Sequence, residues 1–202
     1  MKLYDCKYAP NPRRVRMFLS EKGVEVPTVQ VDIMKGEHKQ PGYRRIAPNG
    51  LLPALELDDG TVLLESVAIC RYLEGLHPEP RLMGVDPLDA AIVEMWQRRM
   101  EFEVMFPMGM TFRHTSPLMA AAQKQFPDFG NAQRDVAEKR LVILDQELAD
   151  REFIAGKRFS IADITAFISI DFFKLADFKI AADQKNLLRW FEAVSSRPSA
   201  QA

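Results

Sequence analysis

Two short apolar runs, Ala54–Leu57 and Thr61–Leu64, flank Asp58-Asp59-Gly60. An Asp-Gly pair supplies the positive-φ residues that a tight β-turn needs, so this segment is constrained to a hairpin. Its surroundings then order themselves around it. Positions 2–5 (KLYD) and 28–32 (TVQVD) are strand-like. Between them Val15, Phe18 and Leu19 share one helical face, and Gly23 stands where a helix-ending glycine belongs. A polar, charged segment, MKGEHKQPGYRRI, follows as loop with irregular helix. After the hairpin, a helix runs from Glu65 to about His77, with Ala68, Ile69 and Tyr72 expected on its inner side.

The order is therefore βαβ followed by ββα. A parallel pair joined by a helix, then an antiparallel hairpin and a second helix, is the thioredoxin arrangement. His77–Pro87 (HPEPRLMGVDP) breaks all periodicity with three prolines and a glycine, and reads as a linker. Beyond it the pattern is helical near 87–113, 131–149, 160–176 and 183–195, with 112–130 a looser connection and Pro107 expected to kink its helix. Ser160-Ile161-Ala162-Asp163 is a capping box, and Phe159 with Ile164 is placed for a hydrophobic staple; this motif is assigned to folding. The expected architecture is an α/β thioredoxin-like domain over 1–79, a linker over 80–86, and an all-α helical bundle over 87–202.

Charge narrows the partners. Twenty-seven Lys+Arg against 28 Asp+Glu leaves a formal net charge of -1, which gives nucleic acid or an anionic membrane no electrostatic handle. No apolar run is long enough to span a bilayer, and MKLYDCKYAPNPRR carries charge where a signal peptide needs apolar residues, so a cytoplasmic location is expected. Cys6 and Cys70 are far apart without CxxC spacing, and His38, His77 and His114 are scattered. Neither a disulfide framework nor a metal centre is expected.

Four features bear on a ligand, each with a plainer reading beside it. Leu52-Pro53 precedes a strand; it is a turn, or the cis-proline site at which thioredoxin-like folds offer the preceding residue's backbone to a peptide. Glu65-Ser66 opens a helix; Ser66 is a cap, or its hydroxyl and N–H bind a carboxylate while Glu65 takes an ammonium. Lys35-Gly36-Glu37-His38-Lys39 is a solvated loop, or His38 and Lys39 hold a second carboxylate. Tyr8-Ala9-Pro10-Asn11-Pro12 leads into the first helix with Pro12 near its start; Ala9 and Pro12 stand where a glutaredoxin carries its two thiols, so any reactive sulfur must come from the ligand.

The runs YDCKYAPNPRRVRMFLSEKG, KGEHKQP, APNGLLPALELDDGTVLLESVAICRYLE and FSIADITAF resemble, in order and spacing, the glutathione transferases, and among them the atypical Gtt type. The resemblance runs nearly the whole length. It implies a homodimer and glutathione as co-substrate, with no further cofactor. It matches His38 to the glycine-carboxylate ligand, Leu52-Pro53 to the backbone clamp on the cysteinyl unit, and Glu65-Ser66 to the γ-glutamyl site. The departure lies at the thiol: Ala9 occupies a position where many classes place Ser or Cys, and Asn11 matches the asparagine of Nu-class and Ure2-like relatives.

These matches imply conjugation of the glutathione thiolate to apolar electrophiles. Asn11 is the expected thiol ligand, helped by the N-terminus of the first helix. Arg13, Arg14 and Arg16 are read as mostly a solvated face, from which one could add positive potential. Tyr8, Met105, Met108 and Phe112 are the expected electrophile wall, although such Met and Phe side chains are more often bundle core. His114 either assists proton transfer or is a surface histidine. Two other readings stay open: glutathione-dependent reduction of disulfides or peroxides, and a non-catalytic glutathione-binding module.

Overall fold

A computed structural model describes residues 1–202. The chain divides into two compact units, Met1–Leu82 joined by Pro198–Ala202, and Met83–Arg197. The division falls within the segment read as linker. The last five residues, assigned from sequence to the helical domain, instead return to the first unit, where the Ala200 carbonyl accepts Arg13 Nη2 at 2.7 Å and the buried Ser199 hydroxyl donates to Glu21.

In the first unit, β1 (Lys2–Asp5), α1 (Pro10–Lys22), β2 (Thr28–Gln30), α2 (Pro41–Arg44), β3 (Ala54–Glu56), β4 (Val62–Leu64) and α3 (Ser66–Leu76) follow in order. The sheet order is β2-β1-β3-β4, with β1 parallel to β2 and antiparallel to β3. Leu3 and Leu55 lie opposite each other in the two central strands and are both buried. The edge strand β2 is three exposed residues, shorter than its apolar pattern suggests, because Val31 turns inward just past the ladder. Short edges of this kind resist edge-to-edge pairing.

Helix α1 begins on Pro10, whose missing N–H costs nothing in the first turn. It buries Val15, Met17, Phe18 and Leu19. It ends at Gly23, φ 62, where Gly23 N–H meets Ser20 C=O at 3.1 Å and Val24 N–H meets Leu19 C=O at 3.0 Å, a Schellman stop. In α3 the buried set is Ser66, Ile69, Cys70 and Leu73. Ala68, expected inside, is exposed because the 3.6-residue period carries it off that stripe.

The second unit comprises α4 (Pro87–Arg99), a π-helical segment Met100–Met105, α5 (Phe106–Thr115), α6 (Pro127–Glu147), α7 (Ile161–Phe172) and α8 (Lys185–Ser195). Where a kink was expected at Pro107, the chain makes a π-turn just before it. Phe106 N–H reaches back five residues to Glu101 C=O, so the helix changes register at the point where proline has no N–H to give. Gly130 lets α6 approach α5: a Cβ there would lie 2.7 Å from Thr115 Cγ2, and the buried Thr111 hydroxyl bonds the Gly130 carbonyl at 3.1 Å. The capping box forms at Ser160, with Phe159 and Ile164 buried beside it. No helix is long and apolar enough to cross a membrane.

Candidate functional site

The loop after β1, the start of α1, the 3-10 turn at 37–39, the segment before β3 and the start of α3 carry the residues singled out from sequence in the first unit. Leu52-Pro53 is cis. The β3 ladder begins at Ala54, paired to Tyr4 and Leu64, so Leu52 lies outside it with its N–H and C=O free for a ligand backbone. The residue before it is anchored: Tyr43 Oη donates to the Leu51 carbonyl at 2.6 Å, and Leu51 N–H to Asn49 Oδ1 at 2.9 Å. Burial pushes the Tyr43 phenol up, which keeps it a donor at any physiological pH.

Glu65 holds φ 66 and ψ 115, a backbone state that non-glycine residues rarely occupy. Its side chain is exposed and does not cap α3, so the first-turn N–H groups of α3 remain open to an anion. Ser66 is buried, and its hydroxyl accepts Arg14 Nη1 at 2.6 Å.

Arg14 is a candidate site residue that the sequence reading missed. It is 2% exposed, not on a solvated face, and its Nη1 also reaches Asn11 Oδ1 at 3.4 Å. One guanidinium thus touches both the residue matched to the thiol and the residue matched to the γ-glutamyl end. Helical phase was the available signal, since position 14 precedes Phe18 by one turn on the buried stripe. Arg13 and Arg16 are not free in solvent either: Arg13 bonds Ala200, and Arg16 meets the buried Asp5 carboxylate at 2.5 Å.

At the first turn of α1, Ala9 is the N-cap in an extended conformation without a side-chain cap. Pro10 and Pro12 have no N–H, and Arg13 N–H bonds Ala9 C=O at 3.2 Å. The backbone donor left in that turn is Asn11 N–H. Asn11 is exposed, and with Oδ1 turned to Arg14 its side-chain NH2 points away from that contact.

His38 lies in a 3-10 turn, Glu37–Lys39, after Gly36 at φ 74. Its Nδ1 is buried without a partner, while Lys39 is exposed. Burial, with the charges of Lys39 and Arg44, holds the imidazole below its ordinary pKa. Arg44 therefore adds a cation to this corner that sequence reading did not assign. Gly50, φ 66, packs on the same turn: a Cβ there would sit 2.9 Å from the His38 carbonyl and 3.3 Å from Arg44 Nη2.

The residues expected to receive an electrophile have different fates. Tyr8 is 76% exposed in the β1–α1 loop. Met105 and Phe112 are half-buried, with Phe112 edge-on to Phe172 at 5.8 Å between centroids. Met108 has no exposed surface and belongs to the core of the second unit, because it shares the inner side of α5 with Thr111. His114 Nδ1 accepts the Phe126 N–H at 3.2 Å, and its ring packs edge-on to Phe129 at 5.3 Å. It caps the entry to α6.

The sequence from 8 to 76 matches the family model for the glutathione S-transferase N-terminal domain, and 99–198 that for the C-terminal domain. Over 203 aligned residues the chain is 34% identical to glutathione S-transferase 2 of Saccharomyces cerevisiae, covering 98% of this chain and 87% of the yeast protein. The chain belongs to the Gtt-type glutathione S-transferases. Solved structures with glutathione S-transferase domains agree with the fold. Gtt2 from S. cerevisiae superposes with a TM-score of 0.93 at 34% identity, covering 100% of this chain and 99% of that one. A glutathione S-transferase domain-containing protein of Marinobacter aquaeolei VT8 superposes at 0.92 with 40% identity, covering 98% and 99%. The mixed sheet and helical second unit described above are thus the transferase fold, and the transferase supplies no cysteine of its own to the loop after β1 that is both exposed and reactive: Cys6 and Cys70 are buried.

Proposed function

We propose that this transferase conjugates the thiolate of glutathione to apolar electrophilic small molecules, as a cytoplasmic homodimer with glutathione as co-substrate and no resident cofactor. Leu52 pairs with the cysteinyl backbone. Glu65 and Ser66 take the γ-glutamyl end, and His38 and Lys39 take the glycine carboxylate. The observation that carries this reading is the buried Arg14 guanidinium, which ties Ser66 to Asn11 and so couples the γ-glutamyl and thiol positions of one tripeptide site.

The chemistry needs only a better thiolate. A free thiol has a pKa of about 8.5, and a helix N-terminus or nearby cation lowers it by about a unit or more. In this reading the Asn11 N–H and amide donate to the sulfur, and Arg14 supplies charge behind them. The thiol proton leaves to solvent. The sulfur lone pair forms the C–S bond to the electrophilic carbon, and any leaving group departs with its electron pair. Of the side chains expected to meet an apolar acceptor, Met105 and Phe112 are half-buried within the second unit, Met108 has no exposed surface, and His114 accepts the Phe126 N–H.

The dimer reading rests on the second unit. Leu88, Met95 and Phe102 repeat every seven residues along α4 and the π-segment, and all are exposed. Phe129, Val136 and Ile143 do the same along α6. Such stripes are the kind of surface a second copy covers.

An ultraviolet titration of bound glutathione tests the reading. Thiolate should form well below pH 8 with the native chain and shift upward in Asn11→Ala. Binding without any thiolate shift would point to a glutathione-binding module instead. A shift with turnover of disulfides or hydroperoxides, and none with electrophiles, would favour a reductase.

A further inference from the structure

The loop from β1 into α1, residues 6–9, is held by one buried carboxylate. Asp5 is 1% exposed and closes β1. One of its oxygens accepts Arg16 Nη1 at 2.5 Å and the other accepts Gln30 Nε2 at 2.5 Å. Both partners then turn to the loop backbone. Arg16 Nη2 donates to the Lys7 carbonyl at 3.0 Å, and its Nη1 to the Cys6 carbonyl at 3.4 Å. Gln30 Oε1 accepts the Lys7 N–H at 3.0 Å.

This network continues into the helix. The Cys6 carbonyl that Arg16 holds also accepts the Ala9 N–H at 3.0 Å, and the Ala9 carbonyl accepts the Arg13 N–H at 3.2 Å, the first bond of α1. No side chain caps that turn. Its aim is therefore set from behind, through Cys6, Lys7 and Ala9. Aim matters here because two prolines leave Asn11 N–H as the turn's backbone donor, so there is no neighbouring N–H to compensate for a tilt.

We propose that Asp5 is a positioning residue for the transferase reaction: through Arg16 and Gln30 it sets residues 6–9 so that α1 directs the Asn11 N–H and amide at the glutathione sulfur. The inference rests on the proposed placement of that sulfur at the start of α1. Asp5 touches no substrate atom itself. Its carboxylate converts one cation on α1 and one amide on β2 into a rigid bracket for the loop between them, and the charge-assisted bonds are strong because the carboxylate is out of water.

Geometry and charge make opposite demands on a variant, which makes the test sharp. Asp5→Asn leaves the Arg16 cation uncompensated. If net charge alone mattered, the bound thiol would become more acidic. If the bracket matters, the loosened turn loses its aim and the thiol becomes less acidic. The experiment is ultraviolet titration of bound glutathione, with steady-state kinetics across pH, for the native chain, Asp5→Asn, Gln30→Ala, Arg16→Lys and Asn11→Ala.

The expected result is a rise in thiol pKa of about 0.5–1 unit for Asp5→Asn, toward the free value. At neutral pH kcat should fall about 3- to 10-fold while KM for glutathione changes less, and raising the pH should restore part of the rate. Gln30→Ala should shift the thiol in the same direction by less, and Arg16→Lys should lie between it and the native chain. A loss confined to folded fraction, with an unchanged or lowered thiol pKa in both Asp5→Asn and Gln30→Ala while Asn11→Ala raises it, overturns the bracket. If Asn11→Ala is also without effect, the placement of the sulfur fails together with it. Should Asp5→Asn not fold, Gln30→Ala decides, since Gln30 is exposed and its removal spares the core.

Discussion

Arg14 Nη1 and Ser66 Oγ lie 2.6 Å apart across the seam between α1 and α3, both residues out of solvent. A hydroxyl that accepts from a buried cation is oriented and made a better donor on its other side. The same nitrogen reaches Asn11 Oδ1, so the tip of α1 and the tip of α3 share one charge.

Replacing that charge should therefore damage the γ-glutamyl and thiol positions at once. Arg14→Met is expected to raise KM for glutathione about 10-fold or more and to raise the thiol pKa, since a hydrogen bond to a charged group is worth about 1.5–3 kcal/mol. Arg14→Lys keeps the charge but not the planar reach and should recover only part. Calorimetric titration of glutathione and its pH-rate profile check this; a KM within twofold of native in Arg14→Met would remove Arg14 from the site.

His38 gives a pH-dependent expectation. Burial and the cations Lys39 and Arg44 depress its pKa, so the imidazole is neutral in the free protein at neutral pH. A bound carboxylate favours the imidazolium, so ligand binding should take up protons and affinity should increase as pH falls from neutral. His38→Gln should abolish that uptake and weaken glutathione about 10-fold, with kcat little changed. Proton uptake is read from calorimetry in buffers of different ionisation enthalpy.

Gly50→Ala tests the support beneath His38. The added Cβ meets the His38 carbonyl at 2.9 Å and must sit at φ 66. Denaturant unfolding should show a loss of about 1–2 kcal/mol, and KM for glutathione should rise severalfold as the 3-10 turn is displaced. An unchanged KM would detach this turn from binding.

Asp163 is the polar hub of the second unit. Its Oδ1 accepts Ile154 N–H and Trp190 Nε1, each at 2.8 Å, and its Oδ2 accepts the Ser160 N–H and hydroxyl, each at 2.9 Å. Asp163→Asn turns an NH2 toward donors and should cost about 2–4 kcal/mol in denaturant unfolding. Burial pushes the carboxyl up to about 6, above its unfolded value, so the native chain takes up this proton first. The group's contribution to stability therefore grows as pH drops from about 6 to about 4 and is smallest above 6. The stability gap between native and Asp163→Asn proteins should be wider near pH 4.5 than at pH 7; a gap that narrows in acid would contradict that order.

Much of the architecture is legible along the chain because it depends on local chemistry. Asp58-Asp59-Gly60 makes a hairpin, Gly23 stops α1 through its left-handed backbone, and Ser160 with Asp163 starts α7, each decided within a few residues. The π-turn before Pro107 was half legible: the proline announced a broken hydrogen bond, but whether the helix bends or changes register depends on packing around Met100 and Val104, both fully buried. Met108 and His114 were ambiguous for a similar reason, since periodicity places a side chain on a face without saying what covers that face.

By itself, the sequence determined the order of strands and helices, their caps and stops, and the cis-prone Leu52-Pro53 step, because those follow from backbone preferences and short-range hydrogen bonds. Helical phase puts Arg14 on the inner stripe, but tertiary structure alone decided what the arginines of the Arg13–Arg16 run bind. Arg14 meets a hydroxyl 52 positions away, and the half-buried Arg16 a carboxylate on β1 whose second partner, Gln30, comes from β2. A cation leaves water only where partners from distant segments converge to replace its hydration, and that convergence exists only once the sheet and its helices have packed.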